Sequence, residues 1–231
     1  MLFCAVALAQ GPTTVGQTLL VIPFENQSKA PGIEWIGESF PELLQDRLNS
    51  PALFALPRED RIRAYDRLGI PTGLHPSRAS IYRIAEQLDV DYVLLGDYRF
   101  DGRTFTTTAQ LLDMRRERLL PEWSESGSLT QLIAIENGVA WDVLQALQLA
   151  PPQGRQAFTS ANTPNRLDAF ENYVRGVTAP TQDEQIRHFR EAVRLSSDYP
   201  AALLQLGKTL YRAHQFEQAV SELGKLSLIH I

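Results

Sequence analysis

The N-terminal part of the chain shows a continuous apolar run followed by helical spacing. The run over residues 19–24 is typical of a strand that is covered on both faces. Apolar residues then recur at the helical period up to Leu48, where Ser39 and Glu42 have the spacing of a capping box and Pro41 falls in the first turn. The pattern predicts a buried strand and then a helix that begins at Ser39.

A second strand and two more helices are predicted before the pattern changes. The strand lies around residues 54–56, and a helix follows over Arg58–Leu68 with Gly69 placed to end it. Another helix starts at Ser77 and buries four apolar residues at helical spacing. These residues are Ile81, Ile84, Ala85 and Leu88.

From Asp91 onward the apolar pattern is that of β-strands. Residues 92–100 and 104–112 are rich in β-forming side chains, and Asp101-Gly102 between them is typical of a tight hairpin. A second turn, at residues 115–117, is predicted to lead into a strand that reaches Trp123.

A long helix and a proline-rich segment close the first predicted domain. The helix spans about residues 129–149, and its broad apolar stripe is expected to seal one face of the sheet. Residues 151–164 are poor in large apolar side chains and punctuated by proline, which is typical of an interdomain linker. We therefore expect an α/β domain over residues 17–150, with helices flanking a mixed sheet, and a second domain after the linker.

The C-terminal residues combine small and large side chains at regular spacing. Gly207 and Ala219 are small where two antiparallel helices would approach closely, and larger apolar residues would fill the seam. The larger residues are Leu203, Leu206, Leu210, Phe216 and Leu223. This pattern resembles the tetratricopeptide repeat, which buries its apolar face only against a neighbour and so serves as a docking surface.

A degenerate repeat of the same kind is predicted upstream. Its residues are Phe170, Tyr173 and Gly176 in the first helix and Phe189, Ala192 and Leu195 in the second. The two repeats are expected to form an all-α segment over residues 165–226. Residues 227–231 are apolar and follow no repeat pattern, so we expect the natural protein to continue beyond this sequence.

Three motifs of the first domain occur in the order of a known family. They are Val21-x-Pro23-Phe24-x-Asn26-x-Ser28, Ala85-x-x-Leu88-x-Val90-Asp91-Tyr92-Val93-Leu94-x-Gly96 and Thr108-Ala109-Gln110-Leu111-Leu112-Asp113. Residues 17–149 thereby resemble the N-terminal α/β domain of TolB-type periplasmic proteins, related to the CsgG and FlgO envelope proteins. In many bacterial proteins this domain precedes tetratricopeptide repeats. The resemblance implies a non-enzymatic envelope or periplasmic domain that packs against other proteins.

The N-terminus predicts export. Residues 2–9 form a short apolar run that ends in Ala7-Leu8-Ala9, the small-x-small form of a signal-peptidase site. The positively charged start of a signal is missing, so we interpret residues 1–9 as the end of a longer signal peptide. The alternative is a disordered or core-packed N-terminus. The run is too short to span a bilayer, and an integral membrane protein is not expected.

Cysteine usage agrees with a bacterial periplasmic or secreted protein. Cys4 is the only cysteine, and it would leave with the signal peptide. A mature chain without cysteine suits an oxidising compartment, although many cytosolic domains also lack cysteine.

The charge balance and the motifs exclude several functions. The chain carries 22 Lys and Arg against 27 Asp and Glu, without the basic face that phosphate neutralisation requires, so nucleic acid is not an expected partner. It has no glycine-rich phosphate loop and no nucleophile elbow. We therefore expect no cofactor, no small-molecule substrate and no enzymatic activity.

Acidic and histidine residues are the candidates for a catalytic or metal site. The histidines, at positions 75, 188, 214 and 230, share no metal-ligand spacing. Asp89, Asp91, Asp97 and Asp101 cluster near one strand and suggest a carboxylate pair for acid–base catalysis. Asp101 is explained by its turn, and Asp89 and Asp91 by the start of the strand. We therefore expect neither a metal site nor a catalytic carboxylate.

The candidate binding residues lie in the C-terminal repeats. Lys208 and Arg212 are four residues apart and share a helical face, with Tyr211 beside them. In tetratricopeptide repeats the corresponding positions line the concave groove, and Tyr173 has a matching place in the first repeat. These residues are expected to bind an acidic or C-terminal carboxylate group of a protein or peptide. The alternative is a solvated helix face, with Tyr211 packed between helices.

These patterns support two functions from different classes. The first is an exported bacterial scaffold or adaptor that binds protein partners in the periplasm or envelope through a tetratricopeptide groove. The alternative is the sensory or regulatory part of a larger signalling protein, joined to a cyclase or a DNA-binding module. A cleavable signal favours the first function, and an upstream effector favours the second.

Overall fold

In a computed structural model of the protein, the described residues are 16–28, 30–160 and 166–229, with side chains up to Leu226. The predicted signal peptide lies outside them. The strands of the described part are β1 (Gln17–Val21), β2 (Glu25–Asn26), β3 (Leu53–Ala55), β4 (Tyr92–Phe100), β5 (Phe105–Asp113), β6 (Arg118–Leu119) and β7 (Trp123–Gly127). Its helices are α1 (Ile36–Leu48), α2 (Arg58–Leu68), α3 (Arg78–Leu88), α4 (Leu132–Ala146), α5 (Gly154–Ser160), α6 (Leu167–Thr178), α7 (Gln182–Leu195), α8 (Pro200–Arg212) and α9 (Phe216–Ile229).

The strands form one mixed sheet in the order β3-β1-β4-β5-β6. Strands β3, β1 and β4 are parallel, and β2 is also parallel to β4. Strands β5, β6 and β7 add antiparallel pairs, because β5 pairs with β4, β6 and β7. The mixed α/β class expected from the sequence is therefore observed.

Strand β1 shows why the first apolar run is continuous. Leu19 and Val21 belong to the core that contains α1 and α4, whereas Leu20 and Ile22 belong to the core that contains α2 and α3. Successive side chains of a strand point to opposite faces, so both faces of this strand are buried. The chain passes from β1 to β3 and then back across β1 to β4, so β1 and β4 border the point at which the strand order reverses.

Helix α1 begins earlier than predicted, at Ile36 instead of Ser39. The backbone N–H of Ser39 already donates to the carbonyl of Trp35 at 3.1 Å, so Ser39 lies inside the helix and is not its cap. Pro41 also lies inside the helix and has no N–H for the carbonyl of Gly37. That carbonyl accepts a hydrogen bond from the N–H of Phe24 at 2.9 Å. A long-range backbone contact therefore stabilises the start of α1, and the capping-box prediction is wrong.

The predicted ends of α2 and α3 are confirmed. Gly69 follows α2 with φ of 65°, the left-handed conformation that glycine adopts at low cost. Ser77 caps α3, since its side chain accepts a hydrogen bond from the N–H of Ser80 at 3.2 Å.

The predicted hairpin is confirmed, but the strand after it is interrupted. The carboxylate of Asp101 accepts hydrogen bonds at 2.8 Å from the N–H groups of Arg103 and Thr104, which fixes the turn between β4 and β5. Instead of one strand up to Trp123, β6 and β7 pair separately with β5. The pairing of β6 with β5 and that of β7 with β5 differ in register by one residue, so the chain forms a bulge between β6 and β7. Pro121 lies in this bulge and has no N–H to donate to β5.

The segment predicted as a linker contains a helix that packs on the α/β domain. The ring of Phe158 in α5 lies 5.7 Å from that of Trp141 in α4, and the guanidinium of Arg47 in α1 lies 4.2 Å above the Phe158 ring. Helix α4, preceded by a 3₁₀ turn, is shorter than predicted and ends at Ala146. Residues 154–160 are therefore attached to the domain.

Helices α6 to α9, which we call the helical segment, pack one after another. A Cβ atom added at Gly207 in α8 would lie 2.4 Å from Cγ of Leu223 in α9, and one added at Gly176 in α6 would lie 2.6 Å from the Phe189 ring in α7. The helices thus approach closely at glycine. Ten of the residues predicted to pack in these repeats are buried, namely Phe170, Tyr173, Gly176, Phe189, Ala192, Leu203, Leu206, Gly207, Leu210 and Ala219. Phe216 is 50% exposed and does not fill the seam.

The helical segment is joined to the α/β domain through α6. The ring of Phe170 packs edge-on against Trp35, with the ring centroids 6.3 Å apart. The guanidinium of Arg175 donates to the carbonyl of Gly32 at 2.8 Å. Within the described residues, none of the helices combines the length and apolar composition that crossing a bilayer requires.

Candidate partner-binding groove

Lys208 and Arg212 lie on the exposed side of α8, one helical turn apart. They line a groove of about 470 Å³ that we call the Lys208 groove. Its other side is formed by α1 and the start of α2, from the α/β domain. Neither cation forms an ion pair with a described residue, since Arg212 donates only to the carbonyl of Lys208 and the hydroxyl of Thr209. Both positive charges are therefore available to a ligand.

The two tyrosines predicted to join these cations lie in different places. Tyr173 is at the floor of the Lys208 groove, 7% exposed, and its hydroxyl donates to the Glu42 carboxylate at 2.9 Å. Tyr211 is 63% exposed and packs against Phe216 at 5.4 Å, away from the residues that line the groove. The structure therefore brings Lys208 and Arg212 together with Tyr173 but not with Tyr211.

The wall opposite α8 is acidic, which the sequence did not indicate. Glu42, Asp46 and Glu59 line it, together with Arg58. Arg58 is not free, because its Nε donates to the carboxylate of Glu38 at 2.9 Å. The groove thus has a basic wall on α8 and an acidic wall on α1 and α2. Only folding places these walls opposite each other, although helical spacing puts Glu42 and Asp46 on one face of α1.

Glu42 is a carboxyl group of this groove with a raised pKa. Burial raises the pKa of its carboxyl to about 7, and the nearby Glu38 raises the pKa further, while the hydrogen bond from Tyr173 lowers it. The carboxyl is therefore partly protonated near neutral pH. The Lys208 groove consequently becomes more negative as the pH rises through this range.

Among the other carboxylates and histidines considered as a chemical site, Asp89, Asp91, Asp97 and His188 have structural contacts, whereas His230 lies outside the described residues. The Asp91 carboxylate accepts from the Thr18 N–H at 2.9 Å, and Asp97 accepts from the Thr108 hydroxyl at 2.9 Å. Asp89 ends α3 in the left-handed conformation, and Nδ1 of His188 lies 3.2 Å from the side-chain oxygen of Asn172. In the part of the chain that the structure describes, no three His, Cys, Asp or Glu residues are grouped to hold a metal ion.

No protein-family model matches this sequence, and no curated protein matches it significantly. Among solved structures, the C-terminal domain of LpoB from Escherichia coli is similar at 19% identity and a TM-score of 0.42, over 52% of this chain and 89% of that one. Lipoprotein GNA1162 from Neisseria meningitidis is similar at 18% identity and a TM-score of 0.39, over 57% of this chain and 96% of that one. TolB from Acinetobacter baumannii is similar at 16% identity and a TM-score of 0.39, over 57% of this chain and 28% of that one. Similarity of this degree assigns no function.

Proposed function

We propose that the protein is a non-enzymatic adaptor of the bacterial envelope that binds a protein partner in the Lys208 groove. The observation that carries this proposal is the pair of exposed, unpaired cations, Lys208 and Arg212, on the wall of a groove built by both parts of the chain. Paired cations on one rigid helix bind a carboxylate through charge-assisted hydrogen bonds that neutral residues do not replace.

We interpret the helical segment as two tetratricopeptide repeats. Its helix pairs begin at Leu167 and Pro200, close to the period of about 34 residues of such repeats. Glycine at each close approach, Gly176 and Gly207, supports this interpretation. Repeats of this kind are docking modules, which agrees with an adaptor.

The two walls of the groove define the ligand that fits it. A carboxylate of the partner would bind Lys208 and Arg212, and a donor or cationic group of the same segment would face Glu42, Asp46 and Glu59. We therefore propose an extended peptide segment that carries an acidic group and a donor group on opposite sides. A uniformly acidic segment would be repelled by the wall of α1.

The groove is tested by removing both cations. The Lys208→Ala, Arg212→Ala double variant is expected to retain partners from an envelope extract roughly tenfold less well than the wild type, since each exposed contact contributes about 0.5 to 1 kcal/mol. The measurement is quantitative mass spectrometry of proteins captured on the immobilised full chain, at low and high salt. Capture by the wild type should fall as salt rises.

The matched control is the Arg83→Ala, Arg187→Ala variant, which removes two exposed cations outside the groove. It should capture the same partners as the wild type, with equal helicity of all three proteins by circular dichroism. Retention of the same partners in the same amounts by the Lys208→Ala, Arg212→Ala variant at low salt would assign both cations to a solvated helix face.

Export is the second part of the proposal, and it is supported by Ala7-Leu8-Ala9 before Gln10. A tagged protein expressed from its native locus is expected in the periplasmic fraction, with an N-terminus near Gln10 by Edman sequencing. Substitution of Ala9 by a large residue should block processing, because the peptidase requires a small side chain there. An unprocessed protein in the cytosol would contradict export.

A further inference from the structure

A second cavity, of about 540 Å³, lies at the carboxyl end of β1 and shares no lining residue with the Lys208 groove. We call it the β1-edge cavity. The chain after β1 and the loop between α2 and α3 form one side, and α6 and α7 form the other. It therefore lies where the strand order of the sheet reverses, the place where open α/β sheets commonly bind ligands.

Four carboxylates line the β1-edge cavity, and Glu38 among them is paired with Arg58 and Arg61. The other three come from separate parts of the chain. Glu25 follows β1, Glu34 precedes α1, and Glu184 belongs to α7. None of the three forms an ion pair with a described residue: Glu34 accepts from the N–H of Gly32 at 3.3 Å and Glu184 from the hydroxyl of Thr181 at 2.9 Å. Their negative charge is therefore not neutralised within the described structure.

The basic groups of the same cavity do not offset this charge. Arg175 is held by the carboxylate of Glu171 at 2.8 Å and by the carbonyl of Gly32. Burial and the nearby Arg187 lower the pKa of His188, which favours its neutral imidazole. The cavity consequently has a negative potential, which attracts a cation.

The wall of the cavity contains a buried hydroxyl that no described residue pairs with. Tyr65 lines the cavity and is 2% exposed, and within the described residues its hydroxyl has no hydrogen-bond partner. A buried hydroxyl of this kind costs free energy unless a ligand or water satisfies it. The side chains of Phe24 and Trp35 also line the cavity, and apolar lining of this kind suits the methylene stem of a lysine or arginine side chain. Polar and aromatic groups thus favour the same class of ligand.

We infer that the β1-edge cavity binds an ammonium or guanidinium group, such as a lysine or arginine side chain of a partner protein. Carboxylates at the rim would pair with the cation, the rings would contact its apolar stem, and the Tyr65 hydroxyl would complete its hydrogen bonds. Because the cavity is separate from the Lys208 groove, this inference does not depend on the ligand proposed there.

Calorimetry with the full chain at low salt tests this site. The probes are the peptide acetyl-Lys-Lys-Lys-amide, the same peptide with acetylated lysines, and spermidine. The unmodified peptide is expected to bind. The peptide with acetylated lysines is expected not to bind, because acetylation removes the positive charge. If the peptide binds more tightly than spermidine, the natural ligand is a protein side chain. If spermidine binds more tightly, the inference that a partner protein supplies the cation is wrong.

Two variants locate the binding. The Glu34→Gln, Glu184→Gln double variant is expected to bind the peptide at least tenfold more weakly than the wild type. The control is the Glu86→Gln, Glu217→Gln variant, which makes the same charge change at exposed positions outside the cavity and should leave the affinity for the peptide unchanged. Tyr65→Phe should preserve the fold, because the Tyr65 hydroxyl makes no described hydrogen bond. It should nevertheless lower the affinity for the peptide about threefold. Wild-type affinity for the peptide in either cavity variant would contradict the proposed site. An equal loss of affinity in the control variant would contradict it as well.

Discussion

The protein is expected to lose stability as the pH rises from about 5 to above 8, by on the order of 3 kcal/mol in its free energy of unfolding. Glu136 in α4 is completely buried, and burial raises the pKa of its carboxyl to about 8, although the Ser39 hydrogen bond lowers it. Glu42 adds to the effect with a pKa of about 7. Both shifts favour the neutral form in the folded protein.

The hydrogen bonds of Ser39 support a protonated Glu136. The Ser39 hydroxyl oxygen lies 2.8 Å from the carbonyl of Ile36 and also within hydrogen-bond distance of the Glu136 carboxyl. One hydroxyl carries one hydrogen, so it donates to only one of them. A protonated Glu136 donates to Ser39, and Ser39 then donates to Ile36, so each hydrogen has an acceptor, while Oε2 of Glu136 has no partner among the described residues.

The sign of the pH effect follows from proton uptake. Between the unfolded pKa of 4.5 and the folded values near 7 and 8, the folded chain holds more protons than the unfolded chain. Stability therefore falls as pH rises through this window and is fully present below it. Lowered carboxyl pKa values, as at Asp113 beside Arg116, oppose this in more acidic solution, and the lowered pKa of His188 opposes it in part below the usual value of 6.5.

Urea unfolding at pH 5, 7 and 8.5 measures this dependence. Glu136→Gln should flatten the curve, with little change at pH 5 and greater stability than the wild type at pH 8.5. Glu217→Gln, at an exposed site in α9, is the control and should follow the wild type. A wild-type stability that is constant or increases between pH 5 and 8.5 would contradict a neutral Glu136.

Most elements were predictable from the sequence because local patterns determine them. The period of apolar residues located the strands and helices, and the turn residues Gly69, Ser77 and Asp101 marked their ends. The errors occur where distant parts of the chain meet. Ser39 has the spacing of a cap but bonds to Glu136 from α4, and Pro121 interrupts a strand whose pairing only the sheet defines.

The candidate sites were less predictable for the same reason. The spacing of Lys208 and Arg212 was visible in the sequence, but the acidic wall opposite them comes from α1 and α2. Tyr173 was expected on an open groove, yet it is bound to Glu42 of the other domain. A local signal existed for Glu136, since it directly follows the apolar residues 132–135 of α4, and a buried carboxylate requires a partner.

Gly37→Ala is expected to destabilise the protein by about 1 to 3 kcal/mol through overpacking. Gly37 lies in α1, and a Cβ added there would be 2.6 Å from the carbonyl oxygen of Phe24, a backbone atom in the short segment between β1 and β2. The same contact includes the hydrogen bond from the Phe24 N–H to the Gly37 carbonyl. The ring of Phe24 is held further by Phe40, stacked at 3.9 Å, and by its contact with Gly96.

The matched control is Gly224→Ala, the same substitution in a helix where the added Cβ would meet no atom within 4 Å. It should stabilise the protein by up to about 1 kcal/mol, because alanine loses less backbone freedom than glycine in a helix. Urea unfolding at pH 5, where Glu136 and Glu42 are neutral, separates these effects from the titration. Since backbone contact with Phe24, and not a capping side chain, stabilises the start of α1, Gly37→Ala should be the less stable variant. Equal stability of the two variants would show that α1 does not need the close approach at Gly37.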